Sequence, residues 1–387
     1  MSERLIEFVM CGSAGEKCNP YELTSPVERQ KLLLLINTRP LSIEDIAKRL
    51  GLTVEEVANN LKELLRCGLV EKEKEDETYR PAIAIFTIED QKMLMPLINE
   101  LVSDTVEAVK HWLPKIRETL NSITVVRRGL RFPDLEYIVV GALALDYEGL
   151  EVLSGEGLVV KSKKMPGGNY VFAGFEKGLI SLRNASVWGH SDTFGRYWFN
   201  THGRLPPRWP RLAFPDLAWL WYGQGVGLDT IASKMVEIGR ILEALVEKDL
   251  SFKDLREKLG VDSLTLAIDL SLLLTIKYVE PMSRNTWRLA IPVFMPEDYE
   301  VVRSVARAML KDIANKLKTK MNRVREVYAK TSPAKNGVPL EEAFNPIYHI
   351  VFGQALDKLI AKGDITEPVE RIDGGRYSAF LIILPNR

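Results

Sequence analysis

The chain has 387 residues, which is long for one ordinary domain and predicts about three. Its 52 basic and 52 acidic residues cancel, which excludes a global field that would draw the protein to nucleic acid or to an anionic membrane surface. We find no signal peptide and no apolar run long enough to span a bilayer, so we expect a cytoplasmic protein without membrane contact. The three cysteines, Cys11, Cys18 and Cys67, favour reduced thiols over the alternative of a thiolate metal site.

Two stretches of the sequence occur twice. LSIEDIAKRLGL at 41–52 returns as LSFKDLREKLGV at 250–261, an offset of 209 residues. YRPAIAIFTIED at 79–90 returns as WRLAIPVFMPED at 287–298, an offset of 208 residues. A long period that changes by one residue between two stretches indicates an internal duplication.

The first copy predicts three helices and a hairpin. Ser42 can cap a short second helix, which Gly51 ends. Thr53 and Glu56 have the spacing of a capping box, which predicts a third helix over 54–66. The apolar run 32–36 belongs to the first helix, and strands are expected at 69–74 and 79–87.

This pattern, carried by RPLSIEDIAKRLGLTVEEVANNLKELLRCGLVEKE, resembles the ArsR-type winged helix-turn-helix regulators. The resemblance covers about residues 25–120 and, more loosely, 230–330. It implies DNA binding by the third helix and the hairpin, or wing, and dimerisation through flanking helices. We therefore predict an α+β, mostly helical fold in which tandem winged helix-turn-helix domains flank a small mixed α/β domain. The predicted domains are 1–123, 124–228, 229–335 and 336–387, the last being a helix over 340–361 and a hairpin of strands 364–371 and 376–384.

The predicted function is a DNA-binding transcription regulator, and the alternative is a winged-helix scaffold for protein partners that binds no specific DNA. The residues expected to contact double-stranded DNA are Ser42, Thr53, Asn59, Asn60, Lys62, Arg66, Lys72, Lys74 and Arg80. Acidic neighbours oppose this role, because two basic residues face three acidic ones between Thr53 and Arg66. The wing is also rich in glutamate.

The third helix of the second copy has no basic residue before Lys277 and is apolar nearly all round, which predicts a docking surface for a protein partner. The helix after the second wing carries a basic cluster that either tracks a nucleic-acid backbone or is a solvated face. That cluster is Lys316, Lys318, Lys320, Arg323 and Arg325. The long helix over 88–123 has an apolar stripe that forms either a homodimer seam or part of its own domain. The two copies are further expected to pack as an intrachain pseudo-dimer.

The middle segment concentrates polar groups among aromatic residues. These groups, interpreted as a ligand-sensing pocket, are His190, Asp192, Arg196, Tyr197 and His202. The alternative is a domain interface in which the histidines are hydrogen-bonded, and catalysis is the least favoured interpretation. His190, Asp192 and His202 have donor atoms suited to a metal, but no known motif such as HExxH and no phosphate-binding loop is present, so we predict no enzyme activity, no cofactor and no metal.

Overall fold

The computed structural model describes residues 5–15, 18–73, 75, 77–182, 185–208 and 210–385. The fold is mixed α/β, 54% helical with small sheets, as the α+β prediction requires. Over the described residues no helix is both long and apolar enough to cross a membrane. Lys74 and Asp76 in the predicted wing lie outside the described residues.

The helices begin and end close to the predicted positions wherever a capping pattern was recognised. They are α1 (Pro20–Leu23), α2 (Val27–Thr38), α3 (Ile43–Leu50), α4 (Val54–Arg66), α5 (Ile88–Ser122), α6 (Thr124–Arg127), α7 (Leu135–Tyr137), α8 (Gly149–Gly155), α9 (Asp216–Gly223), α10 (Leu228–Ala244), α11 (Phe252–Leu259), α12 (Ser263–Thr275), α13 (Pro296–Tyr328), α14 (Ser332–Lys335) and α15 (Leu340–Ala361). A π-helical segment, Ile138–Glu148, joins α7 to α8.

The strands are short, and most of them pair with distant parts of the chain. They are β1 (Ile6–Ala14), β2 (Val70–Lys72), β3 (Tyr79–Pro81), β4 (Ala84–Phe86), β5 (Lys164–Met165), β6 (Gly168–Glu176), β7 (Trp188–Phe194), β8 (Tyr197–Arg204), β9 (Leu250–Ser251), β10 (Val279–Ser283), β11 (Thr286–Leu289), β12 (Val293–Phe294) and β13 (Arg376–Ile383). The strand predicted over 364–371 was wrong, since only an isolated bridge joins Glu370 to Arg376 there.

The chain forms two compact units that are interleaved in sequence. Unit 1 is Met1–Thr105, Leu150–Arg183 and Lys311–Phe352, and unit 2 is Val106–Gly149, Asn184–Leu310 and Gly353–Arg387. The units do not coincide with the four consecutive domains predicted from the sequence. Long-range strand pairing explains the difference, because a strand belongs to the unit that satisfies its backbone hydrogen bonds.

In unit 1, β6 is the central strand of a sheet in the order β1-β6-β4, with β5 also paired to β6. β1 is antiparallel to β6 and β4 is parallel to it, while β2 and β3 form a separate hairpin. Fully buried side chains of α2, α3 and α4 share one core with β6. They include Leu32, Leu33, Ile36, Ile46, Val57, Leu61, Leu64, Tyr170 and Phe172.

Unit 2 contains a sheet in the order β12-β13-β8-β7 and a small sheet in the order β10-β11-β9. β12 is parallel to β13, whereas β13 and β7 are both antiparallel to β8. β4 and β12, the strands that follow the β2–β3 and β10–β11 hairpins, each pair in parallel with a strand much later in the chain. β13, from the predicted C-terminal hairpin, therefore joins the β12-β13-β8-β7 sheet as an inner strand.

The duplication covers nearly the whole chain. The order β1-α1-α2-α3-α4-β2-β3-β4-α5-α6 of the first half (6–176) returns as β8-α9-α10-α11-α12-β10-β11-β12-α13-α14 in the second half (197–383), which has the additional short strand β9 between α10 and α11. Gly51 and Gly260 end α3 and α11 in the left-handed conformation, at φ 68° and 67°. Gly68 and Lys277 follow α4 and α12 at φ 69° and 57°, so the repeat preserves a left-handed backbone even where glycine is absent.

The ends of the two halves also match, which the sequence comparison missed. Gly-Gly-x-Tyr at 167–170 recurs at 374–377, where β6 and β13 begin. Gly12 lies opposite Tyr170 and Gly203 lies opposite Tyr377. A Cβ atom on either glycine would lie 2.9 Å from the Cα of Tyr170 or 2.6 Å from that of Tyr377. Glycine is therefore required at this position of both sheets.

The prediction of three reduced thiols was wrong for two of them. Cys18 and Cys67 form a disulfide that ties the segment before α1 to the residue after α4. The two residues are 49 positions apart, so spacing alone could not show that the fold brings them together. Cys11 keeps its thiol, which is buried 3.4 Å from Nε2 of His349.

Candidate nucleic-acid interface

Helices α3 and α4 are fixed by the residues that cap them. The Ser42 hydroxyl accepts a hydrogen bond from the N–H of Asp45 at 3.2 Å. Thr53 and Glu56 form the predicted capping box, with the Thr53 N–H donating to Glu56 at 2.8 Å. Ser42 and Thr53 thus use their side chains to cap the starts of α3 and α4.

The exposed face of α4 carries three of the predicted DNA-binding side chains. Asn59, Lys62 and Arg66 are exposed, at positions separated by about one helical turn. Arg66 donates a hydrogen bond to Glu63 at 2.9 Å, and this bond lowers the pKa of the Glu63 carboxyl below its usual range. Asn59 and Lys62 are the other two exposed side chains of the predicted set on this face.

Asn60 has a different position from the one predicted. Its amide oxygen accepts a hydrogen bond from Nε of Arg29 at 2.9 Å, and its amide nitrogen donates to the Glu56 carbonyl at 3.0 Å. Asn60 therefore holds α2 against α4. The sequence did not mark Arg29, because the contact joins two helices that are separated by α3.

The wing pairs its basic residues with its own acidic ones. Lys72 binds Glu77 at 2.8 Å, and Arg80 binds Glu71 at 2.6 Å and Glu73 at 3.3 Å. The hydrogen bond that Lys72 donates to Glu77 raises the pKa of Lys72, and the same bond lowers the pKa of Glu77. Both charges persist at neutral pH, so a phosphate must compete with a carboxylate for each of these cations.

Two basic residues that the sequence analysis did not select are exposed next to α4. Lys48 and Arg49 lie in the last turn of α3, directly after the buried pair Ile46 and Ala47. The helical spacing of the apolar residues in α3 places both of them on its exposed side, and this spacing could have predicted them from the sequence. They add positive charge beside the turn between α3 and α4.

The basic cluster on α13 is engaged with acidic side chains from elsewhere in unit 1. Lys320 binds Glu100 at 2.9 Å and also binds Asp104, while Arg323 binds Glu100 at 2.5 Å. Lys318 binds Glu156. The sequence showed few acidic residues near this cluster along the chain, and the tertiary structure supplies them. These partners favour the interpretation as a charged, solvated face over backbone tracking.

Arg325, another exposed member of that cluster, makes its described contact with a residue of its own helix. Its guanidinium donates to Oδ1 of Asn322 at 3.2 Å. Lys316, on the same helix, is half-buried. Neither residue lies on α3, α4 or the wing.

The residues of the predicted ligand pocket separate onto two faces of one sheet in unit 2. His190 pairs with Thr201 and Gly189 pairs with His202 across β7 and β8. Since successive side chains point to opposite faces, His190 and His202 lie on opposite sides. These five residues therefore do not line one pocket.

On the first face, His190 lies among carboxylates. Its Nδ1 is 3.5 Å from Oδ2 of the fully buried Asp216, and its Nε2 is 3.7 Å from Oδ2 of Asp192. Asp216 is in turn bound by the buried Arg211 at 3.1 Å, and the Trp219 indole N–H donates to Asp192. The sequence did not predict Arg211, whose burial depends on that carboxylate.

Arg196 and Tyr197 meet at a different carboxylate, Glu243 of α10. Tyr197 donates its hydroxyl to Glu243 at 2.7 Å, and Arg196 lies 3.6 Å from the same side chain. Burial raises the pKa of Tyr197 well above its usual range. This cluster packs the β7–β8 turn on α10.

On the second face, His202 is fully buried. Its Nδ1 is 3.0 Å from the Tyr137 hydroxyl, and its Nε2 is 3.4 Å from Oδ2 of Asp146. Burial raises the pKa of Tyr137 well above its usual range. Among the described residues, no group of three or more His, Cys, Asp or Glu side chains is placed to hold a metal ion.

A family model described as HVO_A0114 matches residues 24–89. The matched segment runs from just before α2 to the first residues of α5, so it spans the three helices, the wing and β4. It is less than a fifth of the chain, and its description names no activity. No curated protein and no solved structure matches the chain.

Proposed function

We propose that the chain is a DNA-binding transcription regulator in which each half carries a winged helix-turn-helix module, and that the first-half module (27–86) contacts DNA. The order of α2, α3, α4, β2 and β3 supports this, because a helix that follows a turn and precedes a hairpin is the element that enters the major groove in such modules. The observation that carries the proposal is the exposed polar face of α4, with Asn59 and Lys62 at its centre.

The proposal includes an intrachain pseudo-dimer. Unit 1 takes Lys311–Phe352 from the second half, and unit 2 takes Val106–Gly149 from the first. In unit 1, Asn336 donates to the Asn37 carbonyl at 3.0 Å, and in unit 2 Arg128 donates to the Val246 carbonyl at 3.2 Å. Such reciprocal contacts are typical of a dimer that exchanges identical elements, here fused into one chain. One half is then free to lose its DNA contacts.

Binding by this module is expected to be weak and sensitive to salt. Arg66, Lys72 and Arg80 each hold a glutamate of the same module, so each phosphate contact requires an ion pair to break. The proposed regulator has no ligand-sensing pocket formed jointly by His190 and His202, because these two residues lie on opposite faces of a sheet. The exposed aliphatic face of α12 supports an additional role for the chain in protein docking.

The test is binding of the full-length protein to random duplex DNA across a salt series. We expect the logarithm of the affinity to fall linearly with the logarithm of salt concentration, with a slope of about −0.9 per neutralised phosphate. The variant N59A/K62A should bind about tenfold or more weakly and should lose about one unit of slope. Lys362→Ala removes an exposed lysine outside the module and serves as the control.

Two results would overturn the proposal. The first is the absence of duplex binding by the natural sequence even at low salt. The second is equal binding by N59A/K62A and the Lys362→Ala control. Because Asn59 and Lys62 are exposed, a folding defect in that variant is not expected, and circular dichroism checks this.

A further inference from the structure

Helix α12 occupies in the second half the position that α4 occupies in the first, but its exposed face has the opposite character. Each exposed polar residue of α4 has a neutral counterpart at the offset of 209. The pairs are Glu55 with Leu264, Glu56 with Thr265, Asn59 with Ile268, Lys62 with Ser271 and Arg66 with Thr275. Leu264 is 70% exposed and Ile268 is 59% exposed. Large aliphatic side chains at this exposure, one helical turn apart, indicate an interaction surface.

This face, which we call the α12 stripe, also contains the exposed Ala267, Ser271 and Leu274. Asp269 is the one charged residue between Ser263 and Thr275. Its side chain is buried and binds Lys234 at 3.1 Å, so the stripe itself carries no charge. A duplex or an anionic membrane surface would find no cation on it.

Charges at the two ends of α12 indicate which partner fits. Asp262 is exposed at the N-terminal end and Lys277 is exposed just beyond the C-terminal end. Hydrogen bonds that Asp262 accepts from Thr265 and Leu264 lower the pKa of Asp262, so it is anionic at neutral pH. Asp262 and Lys277 are equally far in sequence from the midpoint of the exposed face that runs from Leu264 to Thr275, which lies between Asp269 and Leu270. An antiparallel copy of α12 therefore brings Lys277 of one chain to Asp262 of the other.

The same symmetry matches the side chains in size. About that midpoint, Ile268 faces Ser271 of the other helix and Leu264 faces Thr275. A large residue opposite a small one lets two helices approach closely, as in packed helix pairs. We propose that the α12 stripe pairs antiparallel with the α12 stripe of a second copy of this chain. The resulting dimer holds two first-half modules, and its formation does not depend on DNA binding.

The test is the mass of the full-length protein in solution, measured by sedimentation velocity over a range of concentrations. A single pair of helices buries less than a standard interface of about 1,600 Å², so we expect a monomer–dimer equilibrium that becomes populated between about 1 and 100 µM. The dimer has twice the chain mass of 43.8 kDa. The variant L264E/I268N places the first-half residues on the stripe and should raise the dissociation constant at least about 100-fold.

Ile372→Asn is the matched control, because Ile372 is 63% exposed but lies outside α12. It should leave the dissociation constant unchanged. A natural sequence that stays monomeric throughout the range would overturn the proposal, even if it bound another protein through this stripe. A dimer that L264E/I268N leaves intact would overturn it as well.

A second pair of variants tests the antiparallel register. Lys277→Gly introduces the residue that the first half has at the equivalent position, Gly68. Because glycine keeps the left-handed backbone, the substitution removes only the attraction to Asp262. Lys277→Asp adds repulsion at the same place and should weaken the dimer about fivefold more than Lys277→Gly does. Equal dissociation constants for the two variants would exclude the antiparallel arrangement. DNA binding by L264E/I268N, measured separately at a concentration where the natural protein is monomeric, should be unchanged.

Discussion

Oδ1 of Asp298 accepts a hydrogen bond from the backbone N–H of Thr124 at 2.9 Å, across 174 positions of the chain. Oδ1 of Asp90 accepts one from the N–H of Ser332, also at 2.9 Å. In each case Oδ2 binds a backbone N–H at the start of the aspartate's own long helix. Each half thus binds the start of a short helix of the other half, α14 or α6, through an aspartate at the equivalent position of the repeat.

Replacing Asp298 should reveal the strength of this contact. Asp298→Asn keeps one acceptor oxygen but turns an amide N–H toward the other donor, and the site is buried. We expect the free energy of unfolding to fall by about 2 kcal/mol. The measurement is urea unfolding followed by circular dichroism, with the exposed Asp229→Asn as control. Equal midpoints for the two variants would contradict the assigned role.

The Cys18–Cys67 disulfide should contribute strongly to stability. A bridge across 49 positions removes loop-closure entropy from the unfolded chain, worth about 4 kcal/mol in the chain-entropy model. The variant C18A/C67A should therefore melt at a lower temperature. The unfolded natural protein should show one reactive thiol, from Cys11, without reductant and three with it. Three thiols without reductant would show that the bridge does not form.

Releasing a cation in the wing should strengthen DNA binding. Glu77→Gln removes the carboxylate that binds Lys72 at 2.8 Å and takes one negative charge from the wing. We expect duplex affinity at low salt to rise about threefold or more, with about one more unit of salt slope. Glu280→Gln, an exposed glutamate in the hairpin of the second half, is the control and should change neither quantity. If Glu77→Gln also leaves both unchanged, the wing does not contact DNA.

The capping box of α4 should give stability that depends on pH. Hydrogen bonds from the backbone and hydroxyl of Thr53 lower the pKa of Glu56 below its ordinary value of 4.5. Its stabilising effect is therefore present above pH 4.5 and is lost as the pH falls through the lower folded-state value. Glu56→Gln can still cap the helix but does not titrate.

We expect the natural protein to be more stable than Glu56→Gln near neutral pH, and the difference to shrink as the pH is lowered toward about 3. Urea midpoints for both proteins over this range provide the measurement. A difference that stays constant with pH would mean that the charge on Glu56 contributes nothing.

Local signals in the sequence located the helices of both modules. The Thr53–Glu56 box and Gly51 act within a few residues, so α4 and the end of α3 fall where the sequence predicts them. The helix over 340–361 was also confirmed. The exposed face of α4 followed from the same spacing. Whether that face binds DNA stays a prediction.

The sequence alone determined the local structure of this protein and the fact of duplication. Helix caps and hydrophobic periodicity depend on neighbouring residues, and the duplication is visible as two similar stretches at a constant offset. Tertiary structure alone decided the pairing of β13 with β8, the disulfide of Cys18 with Cys67 and the capture of Thr124 by Asp298. It also decided that Lys320 meets Glu100 and Asp104. The physical reason is that each of these contacts joins groups far apart along the chain. Their partners are selected by burial and by backbone hydrogen bonding across the whole fold, and no window of sequence contains both members.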